Sequence, residues 1–226
     1  MGQNGRVALF LADEQALFRQ GLARQLSLYP DLDILGEAAS DEEALAALQA
    51  LPPCVMVLCS LSLTPFQGLV RQMHRQFPAG SILAVADVKD PEAIFQAASS
   101  GAEALLPRGT GAESWAQTVR DVHGGGHPID QDLAENPEVA RRFLDEFKEL
   151  FSRPGLTSLL IDLSPLEGEV LRRLARGMPL EEIGVSLQTS PQELHRHLTS
   201  IRRKLEANTG AQETVLALWG DKEERK

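Results

Sequence analysis

Val7-Ala8-Leu9-Phe10-Leu11 is an unbroken apolar run, and two residues later the chain reaches a pair of acids, Asp13-Glu14. A strand buried on both faces reads as such a run, whereas a half-exposed strand alternates. The amphipathic stretch Ala16 to Leu26 follows as a helix. The same strand-then-helix order recurs further along. Ile34-Leu35-Gly36, Val55-Met56-Val57-Leu58-Cys59, Ile82-Leu83-Ala84-Val85-Ala86 and Ala104-Leu105-Leu106 read as strands. Helices are predicted from the capping box Ser40-Asp41-Glu42-Glu43 to Leu51, over Leu69 to Phe77, and over Asp90 to Ser100 with Pro91 in the first turn. A last one runs from a second capping box, Thr110-Gly111-Ala112-Glu113, to about His123. Five βα units in a row predict a parallel sheet with helices on both faces, a flavodoxin-like (βα)5 module. Sites on such a sheet lie at the carboxyl ends of the strands. That rule selects Asp13, Glu14, Ser60, Ala86, Asp87 and Arg108.

Gly124-Gly125-Gly126 ends this pattern. Asn136 to Phe151 then reads as a linker helix, with Val139, Phe143, Phe147 and Leu150 in one stripe and Glu138–Arg142 and Arg141–Asp145 able to pair at i,i+4. The stripe either packs on one of the two modules or forms a dimer helix coupling them. Arg153-Pro154-Gly155 closes it. The remainder is helical by pattern. The capping box Ser164-Pro165-Leu166-Glu167 opens a helix whose apolar face is Val170, Leu171 and Leu174, and Gly177 stops it. Leu180 to Leu187 is a short helix, Gln188-Thr189-Ser190 a tight turn, and Ser190-Pro191-Gln192-Glu193 opens a helix to about Leu205. Leu194, Leu198, Ile201 and Leu205 face inward. Thr214 to Trp219 supplies a fourth helix. Short helix, turn, longer capped helix is the helix-turn-helix order.

At 226 residues, 43% hydrophobic and 24% charged, the chain fits two ordinary globular domains. No apolar run approaches the ~20 residues of a membrane span, and Met1 to Arg6 lacks a signal-peptide layout. A cytoplasmic protein without a membrane partner is expected. The two cysteines, Cys54 and Cys59, flank a strand and read as small hydrophobes rather than a disulfide. The five histidines show no metal spacing. Net charge is −10, and its distribution is uneven. Counting from the sequence, residues 1–127 carry 8 basic and 14 acidic side chains, 128–161 carry 4 and 7, and 162–226 carry 10 and 11. Within the last part, Thr189 to Glu206 holds four basic and two acidic residues, a local excess suited to phosphate contacts.

Longer phrases point to a family. Ala12-Asp13-Glu14-Gln15-Ala16-Leu17-Phe18-Arg19-Gln20-Gly21-Leu22 resembles the opening V-D-D-H-x-L-F-R-Q-G-L of NarL/FixJ-type response regulators. Leu163 to Gly177 is similar to the phrase L-T-x-R-E-x-E-V-L-x-L-L-A-x-G of their LuxR-type output domain, and His197 to Leu205 resembles H-V-x-N-I-L-R-K-L. The resemblance implies a receiver-like domain at 1–127, a linker at 128–158 including helix 136–151, and an all-α, four-helix LuxR-type helix-turn-helix domain at 159–226.

The resemblance also implies a departure. A working receiver accepts a phosphoryl group on an aspartate beside Mg²⁺ held by neighbouring acids. Asp13 and Glu14 match the metal-binding acids. Aligning Gly68-Leu69 with the family's D-G-L places Ser60 at the acceptor, and a serine without a base is a poor nucleophile. Ala86 stands at the switch hydroxyl, Leu105 at the switch aromatic and Arg108 at the lysine. The expectation is a receiver working without aspartyl phosphorylation, with at most a weak or vestigial magnesium site and no other cofactor, in which Asp13 and Glu14 pair with Arg108. Asp87 reads as a solvated strand-end acid. Signals would then arrive by another route, such as a regulatory protein partner.

In the output domain, Gln192-Glu193-Leu194-His195 stands where relatives show a basic K-T-V-K phrase. His195, Arg196 and Thr199 match DNA-contacting positions, Arg203 and Lys204 backbone-contacting ones, with Gln192 and Arg202 beside them; His197 reads as structural. The predicted function is a DNA-binding transcription regulator acting as a homodimer on double-stranded DNA. The rival is a protein-interaction module whose degenerate helix-turn-helix does not bind DNA, a reading that Gln192 and Glu193 favour. No nucleophile–base pair or phosphate-binding glycine loop suggests an enzyme.

Overall fold

A computed structural model of the chain describes residues 6–48, 50, 54–59, 70, 72–73, 80–152 and 160–223. It divides into two compact units, Met1–Gln131 and Asp132–Lys226.

The first unit is built on five parallel strands, β1 (Val7–Asp13), β2 (Leu32–Ala38), β3 (Val55–Cys59), β4 (Ser81–Ala86) and β5 (Ala104–Pro107), in the order β2-β1-β3-β4-β5. Every residue of β1 is buried, as its unbroken apolar run requires. The strand continues through Asp13, which is in register with Cys59 at the end of β3. Helices α1 (Ala16–Leu26), α2 (Asp41–Leu48), α3 (Pro91–Ser100) and α4 (Ala112–His123) accompany the strands. Leu9, Leu11, Leu26, Leu83, Trp115 and Val119 form the centre of the core. Cys54 is also buried, and burial pushes its thiol up to about 11, so it packs as a small hydrophobe. The predicted helix Leu69 to Phe77 lies outside the described residues except for 70 and 72–73, which are helical. The box at Ser40 forms in part: Glu43 N–H donates to Ser40 Oγ at 3.2 Å, while Glu43 Oε2 accepts at 2.8 Å from the N–H of Ala39, one residue before the cap. The one expected at Thr110 does not form. The helix starts a residue later, so Gly111 is the N-cap and no side chain caps it.

A further short helix, α5 (Pro128–Glu135), follows the glycines and contains the boundary between the units. The second unit contains α6 (Pro137–Ser152), α7 (Pro165–Ala175), α8 (Leu180–Leu187) and α9 (Pro191–Glu223). Two sequence expectations are corrected here. The helix placed in the linker belongs to this unit: α6 packs on α7 and α9, burying Val139, Ala140, Phe143, Phe147 and Leu150. The stripe is therefore core, and α6 is the fourth helix of the bundle. The separate helix at Thr214 to Trp219 is instead the end of α9, which runs unbroken for 33 residues. No proline interrupts it, and Asn208, which favours ends and turns elsewhere, spends its amide on the backbone of Ile161: its Oδ1 accepts from Ile161 N–H at 2.7 Å and its Nδ2 donates to Ile161 O at 2.9 Å. Among the described residues no helix is long and apolar enough to cross a membrane.

Candidate functional site

At the strand ends of the first unit, β1 delivers Asp13 into a nearly closed environment; its side chain is 1% exposed. A buried carboxylate needs partners. Gln15 N–H donates to its Oδ1 at 2.7 Å, Arg108 Nη1 to its Oδ2 at 2.5 Å, and Arg19 holds its backbone carbonyl. Arg108 follows β5, fixed by its N–H donating to Ala86 O at 2.8 Å. Its guanidinium stacks 4.6 Å above the Phe18 ring, which in turn meets Trp115 at a tilt of 60°, and its Nε lies 2.9 Å from Asp87 Oδ1. One planar cation thus engages two carboxylates and an aromatic face, a task that suits arginine better than lysine.

The structure brings Asp13, Ala86 and Arg108 together at this corner. Glu14 stands exposed, outside the expected pair with Arg108, and Asp87 takes that role instead while remaining solvent-facing. Leu105 is buried and pairs with Ala84 in the sheet. Ser60 lies outside the described residues, as do Gly68 and Leu69. The sequence missed Phe18 as a platform and Arg19 as a clamp, which also pairs with Glu37 at 3.0 Å. Arg108→Ala should strand Asp13 with one backbone donor and lower stability by about 2 kcal/mol. A urea titration of the full chain checks this, and an unchanged midpoint would refute a stabilising Arg108–Asp13 pair.

In the second unit the turn between α8 and α9 is tight. Gln188 takes a left-handed conformation (φ 54), and Thr189 N–H donates to Gly184 O at 2.9 Å. A Cβ on Gly184 would stand 3.0 Å from Thr189 O and 3.3 Å from Leu194 Cδ1, so glycine permits this close approach. Gly177 (φ 82) ends α7 in the expected way. Leu194, Leu198, Ile201 and Leu205 are buried at helical spacing, which turns Gln192, His195, Arg196 and Arg203 outward as an exposed face, with Thr199 half-buried on it. His197 is half-buried.

Three details change the expected reading of this face. Glu193 closes the capping box: its Oε2 accepts from Ser190 N–H at 2.9 Å and Oγ–H at 2.8 Å, while Ser190 Oγ accepts from Glu193 N–H at 3.3 Å. Those bonds hold its carboxyl below the usual range. Its charge serves the helix N-terminus. Arg202 is buried, at 3% exposure, and so leaves the surface set. Its place next to Ile201 and four residues after Leu198 puts it on the flank of the apolar stripe. Lys204 reaches back to α7, donating to Glu167 Oε2 at 2.7 Å and to Asp162 O at 3.0 Å. Glu167 is itself buried, capping Ser164 N–H at 2.6 Å and accepting from Ser200 Oγ at 2.7 Å. Arg173, held by Glu169 of the same helix at 2.8 Å, links α7 to α8 through Ser186.

A parallel α/β unit with acids at its strand ends is followed by a helix-turn-helix unit, the order that the resemblance to response regulators implies. Comparison with known proteins agrees. Residues 162–217 match the luxR family of bacterial regulatory proteins. The chain is 26% identical over 219 residues to the transcriptional regulatory protein LnrK of Bacillus subtilis (strain 168), covering 94% of this chain and 96% of that one. It is 28% identical over 200 residues to the transcriptional regulatory protein UhpA of Salmonella typhimurium (strain LT2), covering 88% and 91%. Among solved structures, a LuxR-family two-component response regulator from Aurantimonas sp. SI85-9A1 shares the fold at TM-score 0.53 and 19% identity, over 62% of this chain and 99% of that one. The RcsB response regulator of Salmonella typhimurium does so at TM-score 0.50 and 20% identity, over 89% and 92%. The output unit thus matches the luxR family, and over about nine-tenths of its length the chain is similar to transcriptional regulatory proteins.

Proposed function

We propose that this regulator works without aspartyl phosphorylation and binds double-stranded DNA as a dimer. The observation that carries the first part is the Arg108–Asp13 pair at 2.5 Å. In a receiver that takes up phosphate, the strand-end acids hold a magnesium ion. Here the Asp13 carboxylate is already neutralised by a guanidinium and a backbone N–H, Glu14 stands exposed, and residue 60 is a serine. A divalent ion does not suit this donor set, because it would face Arg108 across the same carboxylate. Ala86 offers no hydroxyl to an incoming phosphoryl oxygen, and Leu105 carries no polar handle. The corner is occupied by its own cation and held in one arrangement, so regulation falls to another input, a protein partner among them.

Support for a dimer comes from counting cations on the reading face. Of the four basic residues between Thr189 and Glu206, Arg202 is buried and Lys204 is engaged with Glu167, which leaves Arg196 and Arg203 exposed. Two phosphate contacts give weak binding on their own, and two recognition helices on adjacent half-sites multiply it. Of the two residues that favour the protein-interaction alternative, Gln192 and Glu193, the second is accounted for as a capping residue.

Incubation with acetyl phosphate tests the first part. The wild-type chain should incorporate no phosphoryl group and bind DNA equally with and without the donor, with Ser60→Asp as the comparison that restores an acceptor carboxylate. A labelled wild-type protein with altered DNA affinity would overturn the proposal.

A further inference from the structure

His195 stands on the exposed face of α9, with its Nδ1 2.8 Å from the carbonyl oxygen of Pro191 one turn earlier. A carbonyl oxygen only accepts, so Nδ1 carries the hydrogen. In the neutral ring Nε2 is then a lone-pair acceptor. The two ring nitrogens diverge, and with Nδ1 turned back to the helix backbone, Nε2 faces away from it. In the major groove an acceptor is matched only by an amino group, N6 of adenine or N4 of cytosine; guanine offers N7 and O6 and thymine O4, all acceptors.

We propose that His195 is a specificity-determining residue that selects an amino-bearing base, adenine or cytosine, at one position of each half-site. This rests on α9 being the helix that enters the groove. The Pro191 carbonyl sets the sign of the choice. A lysine at this position, as in the K-T-V-K phrase, can only donate and would favour guanine. Gln192 and Arg196 flank His195, so its preference is read against neighbours with their own donors, and a substitution at 195 changes one column of the site rather than all of it.

Selection from a randomised duplex library by the full-length protein tests this, at about pH 8, above the range in which imidazoles titrate. The wild-type protein should enrich adenine or cytosine about tenfold over guanine or thymine at one position per half-site. His195→Lys should convert that position to guanine, and His195→Ala should flatten it, with the other positions unchanged. The inference is overturned if His195→Ala selects the same sequences as the wild type, or weakens all of them evenly as loss of a phosphate contact would. It is also overturned if the position that responds is guanine or thymine in the wild type. A wild-type protein that enriches no duplex overturns the DNA reading itself, and this inference with it.

Discussion

Glu167→Ala lowers the stability of the helical unit by about 3 kcal/mol, the cost of removing one member of a buried charged pair. The carboxylate holds Lys204, Ser200 and the N-terminus of α7 together. Without it, Lys204 loses its charged partner and α7 loses half of its capping box. Burial pushes the Glu167 carboxyl up, but the bonds from Lys204, Ser200 and Ser164 outweigh this and bring it down to about 2. A carboxyl held below its ordinary 4.5 when folded binds protons more weakly in the native state than in the unfolded one. Its stabilisation is therefore complete above about pH 4.5 and disappears as the pH falls towards about 2. Urea titrations of wild type and Glu167→Gln should show a gap that is wide at neutral pH and narrows on acidification to about pH 3. A gap of constant width would mean that the charge is irrelevant and only the shape matters.

Phe143→Ala is expected to cost about 4 kcal/mol, the usual penalty for emptying a fully buried phenylalanine site. Phe143 has no exposed surface, and it lies on α6, which packs on α7 and α9. The two meanings of the α6 stripe diverge in one measurement. As core within a chain, the loss of stability is independent of protein concentration. As a seam between two copies, it would grow on dilution. The gap between the midpoints of wild type and variant should be the same at two concentrations well apart, and a gap that widens on dilution would return α6 to the role of a coupling helix.

The parts of the molecule that the sequence made legible are those where a local rule was sufficient. β1 is an apolar run without a gap, and Ser164–Glu167 and Ser190–Glu193 carry the residue types of a reciprocal cap at the required spacing. What stayed hidden depends on distant partners. Glu167 reads as a capping residue, and nothing local announces Ser200 and Lys204, 33 and 37 positions later. Asp87 looks like a solvated acid until β5 brings Arg108 beside it. β2 extends well beyond Ile34–Gly36 because β1 supplies ladder partners from Leu32 to Ala38, a benefit that its mixed residues do not advertise. The α5 helix is short and begins at a proline just after three glycines, where pattern alone favours a loop. Arg202 was recoverable: its step from Leu198 is the same as the step from Leu194 to Leu198, and that interval places a side chain against the bundle whatever its charge.

Because α9 is one rod of 33 residues, about 50 Å from end to end, its first turns and its last ones cannot be aimed separately. Anything that grips the far end, whether a neighbouring copy or another protein, takes hold of a lever whose opposite tip carries Gln192 and His195. The bearing of those side chains over the bases is thereby open to adjustment from a distance, with no joint along the way to absorb the motion.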